Sequence, residues 1–107
     1  MSTNLLVWKW SADFDTPSKR KRHRLRFPDV VTMFGETGRH PAMAAHDFKE
    51  FDQRLARTLG PQVADGPYIL EKHPHARVAN FSAVRAQELV PLVGGIAQSC
   101  GLNAAEM

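Results

Sequence analysis

The chain has 107 residues, 43% hydrophobic and 23% charged, which is the balance of a single folded domain spanning 1–107 and excludes wholesale disorder. Its formal charge is +3, but six cations stand between Lys19 and Arg26, and +3 without those six is −3. The basicity is therefore local and makes no general case for a nucleic-acid binder. The one cysteine, Cys100, excludes an internal disulfide and any multi-cysteine zinc or iron–sulfur site, and it points to a reducing compartment.

In chain order, NLLVWKW (4–10) is rich in β-formers. Strand periodicity puts Leu6, Trp8 and Trp10 on one face and Leu5, Val7 and Lys9 on the other. Both faces are apolar near the start, which suits a central strand. Lys9 breaks the apolar stretch and no basic residue precedes it, so the segment reads as neither a secretory signal nor a membrane span. The expectation is a soluble, cytoplasmic protein without a membrane partner.

SADFD (11–15) is a turn. Thr16 followed by Pro17 is an N-cap with proline at the first helical position. The basic run after it has only Leu25 and Phe27 as large apolar residues, so this helix has almost no core face. Pro28 disfavours helical geometry at Phe27 and ends it. Asp29 caps a second short helix through VVTMF, stopped at Gly35 or Gly38. RHPAMAA (39–45) reads as a loop.

Asp47 caps the next helix, in which Phe48, Phe51, Leu55 and Leu59 make an amphipathic stripe stopped by Gly60-Pro61. Gly66-Pro67 turns into YILEK (68–72), HPH (73–75) connects, and ARVANFS (76–82) returns as the second arm of a hairpin. Ser82 caps the last helix, with Leu89, Val93, Ile96, Ala97 and Cys100 along one face. Pro91 inside it predicts a kink or a late start. Gly94-Gly95 suggests close packing against the sheet, Gly101 stops the helix, and LNAAEM (102–107) forms a short final strand.

This order predicts an α+β fold, a ferredoxin-like β-α-β-β-α-β sandwich with helices on one face of an antiparallel sheet. Trp8, Phe51, Leu55, Phe81, Leu89, Val93 and Ile96 are expected to share one core.

Both ends carry a resemblance. The opening NLLVWKW and the closing NFSAVRAQELVPLVGGIAQSCGL (80–102) resemble a loose group of small bacterial proteins. These begin with an aromatic-rich strand of the type YDLxVW and close with a strand, a WSxAEEvvP helix and an HGL ending. Phe81-Ser82, Ala86, Glu88, Pro91, Gly101 and Leu102 match the closing pattern, over about half the chain. The shared positions serve packing and capping, so the resemblance speaks to fold and not to chemistry. The group is largely of unknown function, and some members resemble immunity proteins that neutralise partner toxins. That implies a binding role here. The chain departs from the pattern in its basic first helix and in LNAAEM, which lacks the usual β-branched and aromatic residues.

The strongest feature for binding is the run Lys19, Arg20, Lys21, Arg22, Arg24 and Arg26. A helix bearing them spreads charge around its circumference. Phosphate contacts need only charge density, but base stacking needs aromatic rings, and the run holds only His23, with Phe27 at its edge. Asp13, Asp15 and Asp29 bracket it and offset part of its field. The alternatives are a solvated segment, a site for a protein with an acidic surface, and a nucleic-acid site.

Other chemistry is thinly supported. His73 and His75 flank Pro74, yet a tight metal site needs a third and a fourth ligand, and no spacing joins them to His23, His40 or His46. Cys100 lies on an apolar helix face as a structural thiol. Ser82 and Ser99 lack a nucleophile-elbow context, and Asp13 and Asp15 shape a turn. No catalytic, cofactor or metal residue emerges. The expectation is a non-enzymatic protein-binding module of immunity or inhibitor type, engaging an acidic surface through the run 19–26. The alternative is a nucleic-acid-binding module using the same segment.

Overall fold

A strand with large apolar side chains on both faces must be covered twice, and β1 (Ser2–Trp8) is such a strand. In the computed structural model, which describes residues 2–60 and 66–107, β1 is an interior strand of a four-stranded antiparallel sheet. The others are β2 (Tyr68–His73), β3 (Ala76–Ser82) and β4 (Asn103–Glu106), in the order β2-β3-β1-β4. Leu5 stands opposite Ala79, Leu6 opposite Val78 and, on the other flank, Ala105, and Trp8 opposite Asn103.

Among the described residues are four helices, α1 (Pro17–Arg22), α2 (Phe27–Thr37), α3 (Lys49–Leu59) and α4 (Ala83–Ser99). Helices α3 and α4 cover one face: Phe51, Leu55, Leu89 and Val93 pack with Leu5, Val7, Ala79 and Phe81. Helix α2 covers the other, where Val30 and Phe34 pack with Leu6, Trp8, Ala76 and Val78. The expectation of helices on one face is thus corrected to helices on both. The expected single core is corrected too, because Trp8 belongs to the second cluster while Phe51, Leu55, Phe81, Leu89 and Val93 form the first, with Ile96 packed at its edge. The period of two sends Leu6 and Trp8 away from Leu5 and Val7, and no single helical layer can cover both sets.

The hairpin forms as expected, with Pro74-His75 as its two-residue turn and His73 paired to Ala76. The cap of α3 is Phe48 instead of the expected Asp47, which stands one residue earlier with its Oδ1 accepting the Lys49 N–H at 2.9 Å, and Phe51 and Leu55 are the buried stripe. Pro61, half of the expected stop, lies outside the described residues; Gly60 closes the helix at φ +87. Arg77 of β3 reaches Asp52 of α3 at 3.1 Å, donates to the carbonyls of His73 and Ala76, and lies over the Phe48 ring at 4.5 Å. It ties the hairpin to α3.

Pro91 does not delay α4, which begins at Ala83 directly after Ser82 and runs as one helix through Ser99. Pro91 and Gln87 are both exposed, so the carbonyl left without a partner by the proline ring faces water. A Cβ added at Gly94 or Gly95 would meet nothing within 4 Å, which corrects the expectation of close packing there. The chain leaves α4 through Gly101 at φ +74, and the Leu102 N–H returns to the Ala97 carbonyl at 2.9 Å. This left-handed exit turns the chain back into β4 beside β1.

Candidate functional site

The basic run is built on a scaffold that starts with Trp10. Past the end of β1, Trp10 bridges to Met43, and the Ser11 N–H donates to the Ala42 carbonyl at 2.8 Å. The turn closes with the Phe14 N–H on the Ser11 carbonyl. Thr16 then caps α1, its hydroxyl accepting the Lys19 N–H at 3.2 Å. With Pro17 at the first position, the local sequence meets the requirements for a helix start.

Helix α1 buries none of its residues and stops after one and a half turns. Arg24 takes φ +54, and the Leu25 N–H returns to the Arg20 carbonyl at 2.9 Å. That is the exit glycine usually makes, here made by an arginine. Leu25 packs against the second core. Helix α2 then begins at Phe27, with Arg26 as its cap and Pro28 in its first turn. Pro28 therefore opens α2 instead of ending α1, and Asp29 lies in the first turn of α2 instead of capping it.

The six cations divide into two groups. Lys19 Nζ lies 2.8 Å from Asp15 and 2.9 Å from the Ala12 carbonyl. That hydrogen bond and charge hold the Asp15 carboxyl below its ordinary pKa. Arg20 donates to the Phe14 carbonyl at 2.8 Å and lies over the Trp10 ring at 4.5 Å. These two side chains hold the turn and α1 against the end of β1. Lys21, Arg22, Arg24 and Arg26 are exposed and have no ion-pair partner among the described residues. Of the three bracketing aspartates, only Asp15 pairs with the run.

The fold also brings two aromatic rings from outside the run to those the sequence places in it: Trp10 meets Phe27 at its edge, and Phe14 meets His23 within it. Trp10 and Phe27 have ring centroids 5.7 Å apart, and Phe14 and His23 4.8 Å. Phe27 is 50% exposed. A groove of about 410 Å³ opens beside them, lined by Pro17, Arg20, Lys21, Leu25 and Phe27. Strand parity gave Trp10's face, but no spacing in the chain links Trp10 to Phe27; that contact exists because α2 crosses the face that carries Trp8.

The histidines do not gather into one set, although the fold brings His40 and His75 to one groove. His73 makes an edge-type ring contact with Phe34 at 5.1 Å, and its Nε2 is 3.7 Å from Glu71, beyond hydrogen-bond length. His75, two residues on, lines a different groove with His40. Among the described residues no three His, Cys, Asp or Glu side chains are grouped to hold a metal ion. Cys100 is half-buried against the first core, and Ser99 is bonded to Arg54 and to the Ile96 carbonyl. No described helix is long and apolar enough to cross a membrane. The chain matches no family model, no curated protein and no solved structure.

Proposed function

We propose that this protein is a cytoplasmic, non-enzymatic binding module of bacterial immunity or inhibitor type. In this reading it occludes a protein partner through the face formed by α1 and the start of α2. The observation that carries it is the groove lined by Pro17, Leu25 and Phe27 together with Arg20 and Lys21, on a segment whose Arg22, Arg24 and Arg26 are also exposed and have no ion-pair partner among the described residues. An apolar pocket on a cationic segment suits a protein interface, where a buried side chain supplies affinity and the cations steer an acidic surface. Arg24 adds support: a cation is kept at a φ where glycine would be relaxed. The scaffold is read as ferredoxin-like, supported by the order β2-β3-β1-β4 with antiparallel neighbours.

A second reading, single-stranded nucleic acid on the same face, is favoured by the Trp10–Phe27 ring pair. It is weaker because the Arg20 guanidinium lies over the Trp10 ring, leaving Phe27 as the open ring of the pair, and successive bases need successive platforms.

The test is affinity capture from nuclease-treated extract of the native host, with the wild type beside a variant carrying Gln at 21, 22, 24 and 26. The reading expects one acidic protein held by the wild type and lost by the variant, with a direct Kd that weakens with salt. Equal capture by both proteins would overturn it.

A further inference from the structure

The second groove, between the end of α2 and the hairpin turn, has a different chemistry. It measures about 380 Å³, within the roughly 300–1,000 Å³ of small-ligand sites. Met33, Pro41 and Met43 are its apolar lining, and Arg39, His40 and His75 are its polar groups. No acidic side chain lines it, and Arg39 has no ion-pair partner among the described residues. The Thr37 hydroxyl is engaged by the Met33 and Arg39 carbonyls.

His40 is set up as a donor. Its Nδ1 accepts the Ala42 N–H at 2.9 Å, so the ring proton of the neutral form sits on Nε2. Burial holds its pKa below the ordinary value, and the opposing pull of Asp29 is smaller. At neutral pH His40 therefore donates a hydrogen bond without adding a charge. The fixed cation is Arg39, whose forked guanidinium matches a carboxylate. The two methionines offer a lining that adapts to different apolar shapes.

We propose that this groove binds a small carboxylic acid with an apolar body, an aryl- or short-chain alkanoate. Its carboxylate meets Arg39 and His40, and its hydrocarbon lies on Met33, Pro41 and Met43. The site is separate from the 17–27 face and stands or falls independently of the function proposed for that face.

The experiment is a titration of the ¹⁵N-labelled full chain, in physiological salt, with 4-phenylbutyrate and with its neutral amide. The expected result is saturable amide-resonance shifts confined to 33–43 and the hairpin turn around His75. The amide should bind about tenfold more weakly, as expected for loss of charge-assisted hydrogen bonds worth about one decade in Kd. Arg39→Gln should weaken the acid by a similar factor and leave the amide unaffected. Arg39 is exposed, so the melting temperature should hold. Three results would overturn the proposal: equal binding of acid and amide, no effect of Arg39→Gln on the acid, or shifts that map to residues 19–27.

Discussion

Arg20 and Lys21 are adjacent and alike in charge, yet they do different work. Arg20 lies over Trp10 and donates to the Phe14 carbonyl, while Lys21 is exposed. Arg20→Gln removes a cation–π contact and a charge-assisted hydrogen bond, and it should cost about 1–2 kcal/mol. Lys21→Gln should stay within about 0.5 kcal/mol. Urea denaturation of the two variants separates them, and equal losses would mean that Arg20 does not hold the turn. Arg24 supplies a second contrast. Glycine relieves roughly 1–2 kcal/mol of left-handed strain and gives back about 0.5–1 kcal/mol in chain entropy. Arg24→Gly should therefore be neutral or slightly stabilising, whereas Lys21→Gly, inside α1, should cost about 1 kcal/mol. A clear loss of stability in Arg24→Gly would show that its side chain packs.

At the scale of elements, the sheet separates two cores that share β1 and β3 but no side chain. Leu55 lies under α3 and Val30 under α2, and each is fully buried. Leu55→Ala should cost about 2–5 kcal/mol. Because the sheet stands between the two sites, Leu55→Ala and Val30→Ala should add to within about 0.5 kcal/mol. A larger coupling energy would mean that the two faces respond as one core. In α4, Gly95 is exposed and has open space where a Cβ would go. Gly95→Ala should thus stabilise by about 0.4–1 kcal/mol, raising the melting temperature; a loss would reveal a constraint on that helix face. The sequence carried the elements whose signals are local. The Thr16-Pro17 start, the Phe51–Leu55 stripe, the hairpin and the Gly101 exit all form where expected. Signals that depend on surroundings did not resolve. Pro28 serves equally to end a helix or to open one, and its role is fixed by α2 packing Val30 and Phe34 onto Leu6 and Trp8. Pro91 is tolerated because its helix face is wet.

For the whole molecule, the run 19–26 was legible as a charged segment but not as a surface. Asp15 and Asp29 look equivalent as flanking acids, yet only Asp15 neutralises a member of the run. The aromatic neighbours come from Trp10 and Phe27, which meet through tertiary packing. What emerges is a groove lined by Pro17, Leu25, Phe27, Arg20 and Lys21, on a segment that exposes four cations with no ion-pair partner among the described residues. Such a surface attracts any polyanion at low salt through counterion release, which is sequence-blind. A protein interface and a nucleic-acid site differ in what survives as salt rises, since stacking and base contacts persist while released counterions lose their advantage. The direct measurement is fluorescence anisotropy of labelled single-stranded and duplex DNA and RNA, titrated with the protein from low salt to about 150 mM. The account predicts weak binding at low salt that falls, by about 150 mM, to or below the roughly 10⁻⁴–10⁻⁶ M of non-specific association. It also predicts that Gln at 21, 22, 24 and 26 removes that binding. A Kd tighter than about 0.1 μM for any of these nucleic acids at 150 mM salt, beyond what non-specific contact supplies, would contradict it and make nucleic acid the partner of this face.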